Sequence, residues 1–276
     1  MKIQYRNFII IYLLTFFLPI SVHAQDNAML FNRLDSLLAA QPEITRAKEN
    51  HISKLKERLH VPHLTPRQEY DINESLYQEY MAFKCEQAYH YATRNIHIAK
   101  AHGWWRDYNH STLEQVHILS VMALFDHAER SLGTIRMEAM NTREDSLAYY
   151  VCYSDLHLFA AEFTEGTPFY EENLRAAQEG RAKVKLLASC NSMAGITNIA
   201  SYLSFKKEHH KAIKLLTEYL QRGPQMGTRD FSIVTSDLAY FYNCINNNVQ
   251  RKHYLLLSAI RAIHKGLYVR TIHYGN

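Results

Sequence analysis

The feature that most constrains the fold of this chain is a recurring helix pair. When the second helices of successive units are aligned, equivalent positions fall 40, 42, 42 and 42 residues apart, at Ala88, Ala128, Tyr170, Ala212 and Tyr254. A regular period of this length is typical of stacked helical repeats, in which each pair buries one face against its neighbours. We therefore predict an all-α solenoid of about five helix pairs, whose concave surface is suited to binding.

The fourth unit shows the pattern of the repeat best. Small and large apolar residues alternate at helical spacing along both of its helices, at Ile196, Ile199, Ala200, Leu203, Ala212 and Leu216. This spacing resembles the tetratricopeptide pattern, in which small residues allow two helices to pack closely. Gly223 and Pro224 are expected to end the second helix.

The repeats are predicted to occupy residues 65–265. Thr65, Pro66 and Gln68 form the sharpest helix start in the chain, because threonine can cap, proline suits the first turn, and glutamine can reach back to the cap. Residues 25–64 are expected to form two helices that cover the first repeat, with a break at Pro42. Residues 266–276 lose the helical period and are expected to be an irregular tail.

The first 24 residues have the pattern of a secretory signal peptide. Lys2 and Arg6 precede an apolar run over residues 8–20, and Val22-His23-Ala24 is a small-x-small cleavage site. The alternative is an uncleaved anchor, but the run is shorter than the ~20 residues that a bilayer needs. We predict cleavage after Ala24, a periplasmic location and no later membrane span.

Composition excludes several classes of protein. Apolar residues make up 47% of the 276 residues, which is ample for a core, while nine Gly and six Pro are few for a β-rich fold. The formal charge is +4, and it is +2 without Lys2 and Arg6, so there is no electrostatic reason to bind nucleic acid. Four widely spaced cysteines favour free thiols, although export leaves disulfides chemically possible.

The usual catalytic signatures are missing from the sequence. It contains no GxxxxGK[ST], GxGxxG, GxSxG or HExxH motif, and we predict no catalytic residue, no cofactor and no metal site. Sixteen histidines include the close pairs His60 with His63, His97 with His102, and His209 with His210. Since none of these pairs has an obvious carboxylate or cysteine companion, we interpret them as surface histidines.

Trp104 and Trp105 form the candidate binding surface. They follow Gly103 at a junction between repeats, where an exposed aromatic pair can stack on a glycan or a peptide. The alternative is that both indoles pack between repeats.

Several segments together resemble a known family. Leu34-Asp35-Ser36-Leu37, Leu76-Tyr77-Gln78-Glu79-Tyr80 and Leu257-Ser258-Ala259-Ile260 resemble the Bacteroidota domain of unknown function numbered 6377, over residues 30–263. The resemblance implies a periplasmic tetratricopeptide-like sensor in a one-piece transcriptional regulator. It also implies a membrane helix and a DNA-binding segment after the sensor, and this sequence ends at Asn276 without either.

The leading functional hypothesis is a non-enzymatic periplasmic module that senses or binds a protein, peptide or small molecule. The alternative is a scaffold for the assembly of envelope proteins, which the same solenoid would serve. An unrecognised hydrolase is the third possibility.

Overall fold

The computed structural model describes the backbone of residues 2–81, 83–223 and 228–264, and the side chains from residue 27 to residue 263 within those ranges. This part of the chain forms eleven α-helices and one short 3-10 helix, and it contains no strand. The α-helices are α1 (Lys2–Arg58), α2 (Pro66–Tyr80), α3 (Cys85–Ala101), α4 (Trp105–Val121), α5 (Phe125–Leu132), α6 (Arg143–Phe163), α7 (Phe169–Leu187), α8 (Met193–Phe205), α9 (His209–Arg222), α10 (Arg229–Cys244) and α11 (Asn248–His264). The all-α class and the five helix pairs, α2/α3 to α10/α11, are confirmed.

The chain divides into two compact units. One comprises residues 46–199, and the other comprises residues 200–276 together with residues 1–45. The side chain of Ala24, at the expected cleavage site, and the expected tail at 266–276 lie outside the described part. Within residues 27–263, among the side chains that the structure describes, no helical stretch is long and apolar enough to cross a membrane.

The start of α2 is the one that the sequence predicts. The Thr65 side chain accepts a hydrogen bond from the backbone N–H of Gln68, and the Gln68 side chain accepts one from the backbone N–H of Thr65 at 3.0 Å. Pro66 occupies the first helical position, where no backbone donor is needed. This reciprocal cap satisfies two donors that would otherwise be unpaired, and it fixes where the first repeat begins.

Four of the turns between helices share one backbone geometry. Each contains a residue with φ between 57° and 68°, at Gly103, Ala123, Lys207 or Asn246. The following N–H then bonds back to the last turn of the helix, as Trp104 N–H does to the Ala99 carbonyl at 2.9 Å. This left-handed cap ends a helix in very few residues and turns the chain sharply into the next helix.

The core of residues 46–199 contains several apolar clusters that join neighbouring helices. Ile52 and Leu55, at the C-terminal end of α1, pack with Leu76 of α2 and Ala88 of α3. A neighbouring cluster joins α4, α5 and α6 around the buried Leu156. Ile52, Leu55 and Leu59 of the predicted apolar stripe therefore pack against the helix pair α2/α3.

The other unit is held by α9, α10 and α11. Leu216 and Leu238 are completely buried, and the rings of Tyr242 and Tyr254 stack with their centroids 5.5 Å apart. Near the start of the described side chains, Asn27 Oδ1 lies 3.1 Å from His253 Nδ1 on α11.

Two details of the sequence analysis are wrong. The first helix does not end at Pro42, because α1 runs through it to Arg58. Proline removes a single backbone donor, and the alanines before it favour the helix.

The repeat alignment is also wrong at two positions. Ala88, Ala128 and Ala212 are each the fourth residue of their helix and fully buried, as a close helix crossing requires. Tyr170 is instead the second residue of α7, and Tyr254 is the seventh residue of α11. Helix starts vary between units, so a fixed period selects non-equivalent residues.

The four cysteines are free thiols. Cys85, Cys152 and Cys244 are partly buried, and Cys190 is exposed. The carbonyl of Leu113 accepts a hydrogen bond from the Cys152 thiol at 3.5 Å, which ties α6 to α4.

Candidate functional site

Helix α4 concentrates the buried polar groups of residues 46–199. Among the described residues, eleven polar side chains are buried, and six of them lie on α4, at Asn109, Ser111, Thr112, Glu114, Gln115 and Ser120. Buried polar groups are stabilised only by partners, so they usually mark places where structure or chemistry requires them. We therefore sought the candidate site along this helix.

The first helices of the pairs, α2, α4 and α6, form one face, which we call the first-helix face. The hydroxyl groups of Tyr70 on α2 and Ser111 on α4 share a hydrogen bond of 2.8 Å. Tyr77 O–H of α2 donates to the Glu114 carbonyl of α4 at 3.3 Å. These bonds fix the spacing between successive first helices.

Ion pairs continue along the same face. The Arg67 guanidinium lies 2.6 Å from the Asp107 carboxylate, and the Arg106 guanidinium lies 3.0 Å from the Asp145 carboxylate. In each pair, arginine near the start of one first helix meets aspartate near the start of the next. Burial raises the pKa of Asp145, but hydrogen bonds from Thr142 and the charge of Arg106 outweigh it and hold that pKa below its usual value.

A cleft of about 260 Å³ opens on this face between α4, α6 and the segment before α6. The residues that line it include Arg106, Asp107, His110, Leu113, Met140 and Asp145. The cleft thus places charged and hydrogen-bonding groups beside a few apolar side chains, which suits a polar ligand.

One wall of the cleft is held in place by Asn109. Its side-chain amide donates to the Arg136 carbonyl at 2.8 Å, and its carbonyl oxygen accepts from the Arg136 backbone N–H at 2.8 Å. The Arg136 guanidinium lies 3.7 Å from the centre of the Trp105 ring, a cation–π contact. Asn109 and Trp105 therefore position the 3-10 helix Met137–Ala139 against α4.

Trp104 and Trp105 are both half-buried against Tyr70, Ala99 and Tyr108. The Trp104 ring stacks with His102 at 4.9 Å and meets Tyr70 edge-on at 6.4 Å. Neither indole lines the cleft, although Trp105 supports its wall. Direct ligand contact by these indoles stays a prediction.

A second polar group lies between α2 and α4. The Gln78 amide donates to Oε1 of Glu74 at 2.9 Å and to Oε1 of Glu114 at 3.0 Å. His110 Nε2 lies 3.7 Å from each of these oxygens. Oε2 of both glutamates is buried without a hydrogen-bond partner. Three potential ligand groups, Glu74, His110 and Glu114, thus meet at one point.

The surroundings of Glu74 and Glu114 shift the pKa values of their carboxyl groups in opposite directions. Burial, the neighbouring charge of Glu74 and a hydrogen bond between the two carboxyl groups raise the pKa of Glu114 to about 10. Burial also acts to raise the pKa of Glu74, but hydrogen bonds with His110, Gln78 and Glu114 outweigh it and lower that pKa. The Glu74 carboxylate in turn raises the pKa of His110. Two carboxyl groups this close need a proton or a cation between them.

Comparison with known proteins connects this architecture to one family. A family model described as the SusR N-terminal TPR domain matches residues 38–267, which is more than four fifths of the chain. The chain belongs to this family. No curated protein and no solved structure matches it.

Membership of the SusR N-terminal TPR domain family supports the main outline of the sequence analysis. It confirms the tetratricopeptide-like helical repeat and the likeness to a Bacteroidota sensor region of regulators. It gives no support for the family number 6377. TPR-like repeats are generally non-catalytic and commonly bind proteins or ligands.

The histidine pairs singled out from the sequence do not form the polar group between α2 and α4. The His209 side chain is partly buried. The other five are exposed, at His60, His63, His97, His102 and His210. His110 was overlooked because its partners are distributed over two helices. The signal was nevertheless present, since Glu114 follows His110 by one helical turn and Glu74 precedes Glu114 by about one repeat.

Proposed function

We propose that this chain is a non-enzymatic periplasmic sensor module that binds a small polar molecule or a peptide segment in the cleft beside α4. The observation that carries the proposal is the cleft itself, because it combines a fixed wall with charged and apolar side chains on the first-helix face. The family supports the proposal, since its name assigns the domain to the N-terminal part of SusR.

Two charged side chains that line the cleft are positioned by their contact with each other, so the site is preorganised. Arg106 and Asp145 hold each other at 3.0 Å, so their hydrogen-bonding groups have defined positions. Leu113 and Met140 offer apolar contact beside them. A preorganised site loses less conformational entropy on binding, which favours affinity. The volume of about 260 Å³ is below the range of roughly 300–1,000 Å³ that is usual for small-molecule pockets, so it suits a very small polar ligand or one side chain of a peptide.

The periplasmic location rests on the sequence of residues 1–24. Cell fractionation with mass spectrometry of the N-terminus tests it. We expect a periplasmic protein that begins at Gln25, and a cytoplasmic protein that retains Lys2 would contradict export.

Ligand binding is tested by thermal shift with a panel of short peptides and soluble glycans. We expect at least one class to raise the Tm of the purified chain, since a ligand that binds only the folded state stabilises it. The substitution Arg106→Gln should abolish that rise. Arg94→Gln is the matched control, because Arg94 pairs with Glu69 away from the cleft. Equal shifts in both variants would contradict binding in the cleft.

A scaffold for envelope proteins is the second candidate function, and exposed apolar side chains favour it. Phe163 at the end of α6 is 71% exposed, Phe169 at the start of α7 is 62% exposed, and Leu186 is 74% exposed. Exposed apolar surface often marks a protein interface. Affinity capture from periplasmic extract separates the two functions. A stoichiometric protein partner that is lost in Phe163→Ser favours the scaffold, and a small molecule favours the sensor.

A further inference from the structure

The first observation is the geometry of the group between α2 and α4. One ligand atom each from Glu74, His110 and Glu114 can be chosen so that all three lie within 4.8 Å of one another. His110 Nε2 is 3.7 Å from the nearer oxygen of each glutamate. Two ligands of a tetrahedral Zn²⁺ ion, each about 2.1 Å from the metal, are about 3.4 Å apart. The imidazole nitrogen is thus within about 0.3 Å of this spacing from each glutamate oxygen. The third separation is no more than 4.8 Å, so the two carboxylates would move towards each other to hold an ion.

The second observation is independent of the spacing. The Glu114 side chain is only 9% exposed, and its Oε2 has no hydrogen-bond partner. Glu74 Oε2 is also buried without a partner. A buried carboxylate oxygen is strongly destabilising unless a donor or a cation satisfies it. The two oxygens therefore require either a proton shared between the carboxyl groups or a cation, and His110 beside them supplies a third ligand group suited to a cation.

We propose that Glu74, His110 and Glu114 bind a divalent transition-metal ion, of which Zn²⁺ is the representative. One imidazole nitrogen with two carboxylates suits Zn²⁺, Mn²⁺ or Fe²⁺, whereas Ca²⁺ and Mg²⁺ take sets of oxygen ligands. His110 is 57% exposed at its side chain, so an ion has a path from solvent.

The surroundings of the three ligands support the assignment. Gln78 donates one hydrogen bond to each glutamate and so orients both carboxylates, the role that outer-shell amides play around metals. The ligands come from α2 and α4, so a bound ion would tie two successive first helices together. His110 also lines the cleft, and the ion would therefore lie beside the proposed ligand site.

Isothermal titration of the purified chain with ZnCl₂, after removal of metals with EDTA, tests the proposal. We expect one strong site per chain, and we expect CaCl₂ to give no comparable heat. Glu114→Gln preserves size and removes the charge, and it should weaken Zn²⁺ binding at least tenfold. His110→Ala should weaken it to a similar degree, and because the side chain is exposed its removal leaves no buried cavity.

His97→Ala is the matched control for adventitious binding to surface histidines. It should leave the strong site unchanged, because His97 is exposed on α3. Circular dichroism of each variant checks that the helices are intact. Equal Zn²⁺ affinity in the wild type, Glu114→Gln and His110→Ala would overturn the proposal, and so would the lack of a stoichiometric site. The two carboxyl groups would then share a proton. The proposed ligand cleft would remain untouched, since its thermal-shift test uses no metal.

Discussion

The packing of α7 against α6 at Gly180 can be tested by adding one methyl group. Gly180 lies on the buried face of α7 against α6. A Cβ atom built on it would lie 2.9 Å from Ser154 Cβ, 2.9 Å from Tyr153 Cδ1 and 3.2 Å from Ser154 Cα. Contacts under 3.0 Å require movement, and one of the obstructing atoms belongs to the backbone. The substitution Gly180→Ala must therefore push the two helices apart.

Two effects of opposite sign determine how much Gly180→Ala changes the free energy of unfolding. Alanine is favoured over glycine inside a helix by ~1 kcal/mol. An extra methyl group in a close-packed contact costs ~1–3 kcal/mol. The packing cost is expected near the upper part of its range, because backbone has to shift. We expect Gly180→Ala to lower the free energy of unfolding by about 1–2 kcal/mol, or the Tm by roughly 2–8 °C.

Thermal denaturation followed by circular dichroism measures this change. Gly133→Ala is the matched control, since Gly133 has φ −64° and its Cβ would meet nothing closer than 3.5 Å. That variant should be stabilised by about 0.4–1 kcal/mol. If Gly180→Ala were stabilised to the same degree, the reasoning about the α6–α7 contact would be refuted.

Two further predictions concern a turn and an ion pair. Gly103 (φ 68°) and Ala123 (φ 58°) occupy the same left-handed position in successive turns, and a Cβ on Gly103 would meet nothing within 4 Å. Gly103→Ala should therefore lower the free energy of unfolding, measured by urea denaturation, by the backbone penalty alone, about 1 kcal/mol, and Ala123→Gly should not lower it. Because the pKa of Asp145 is lowered in the folded state, its contribution to stability is present above its ordinary value of 3.8 and is lost as pH falls through the folded pKa. The Tm of Arg106→Gln should depend less on pH below 4 than that of the wild type, and equal profiles would contradict this role of the pair.

The fold was predictable because its signals are local. The cap at Thr65, the apolar stripe through Ile52 and Leu55, and the scarcity of glycine and proline each depend on a few neighbouring residues. Local signals fail where tertiary structure decides the outcome. Pro42 remains inside α1, and variable helix starts displace Tyr170 and Tyr254 from equivalent positions.

The candidate site was predictable only in part. Trp104 and Trp105 pointed to the junction that supports the cleft, but the cleft depends on Asn109 and on an irregular segment that has no sequence pattern. The group of Glu74, His110 and Glu114 is assembled across two helices. A repeat alignment that compared first helices as well as second helices would have placed Glu74 beside Glu114.

The chain contains only two tryptophans, and they are neighbours at the start of α4. Its intrinsic fluorescence therefore reports on a single location within residues 46–199, whereas far-ultraviolet circular dichroism reports on every helix. Denaturation curves from the two signals should coincide if the whole chain unfolds in one cooperative step. Separate midpoints would show that residues 46–199 unfold independently of the remaining repeats, a property that the one-dimensional coupling of repeat proteins allows.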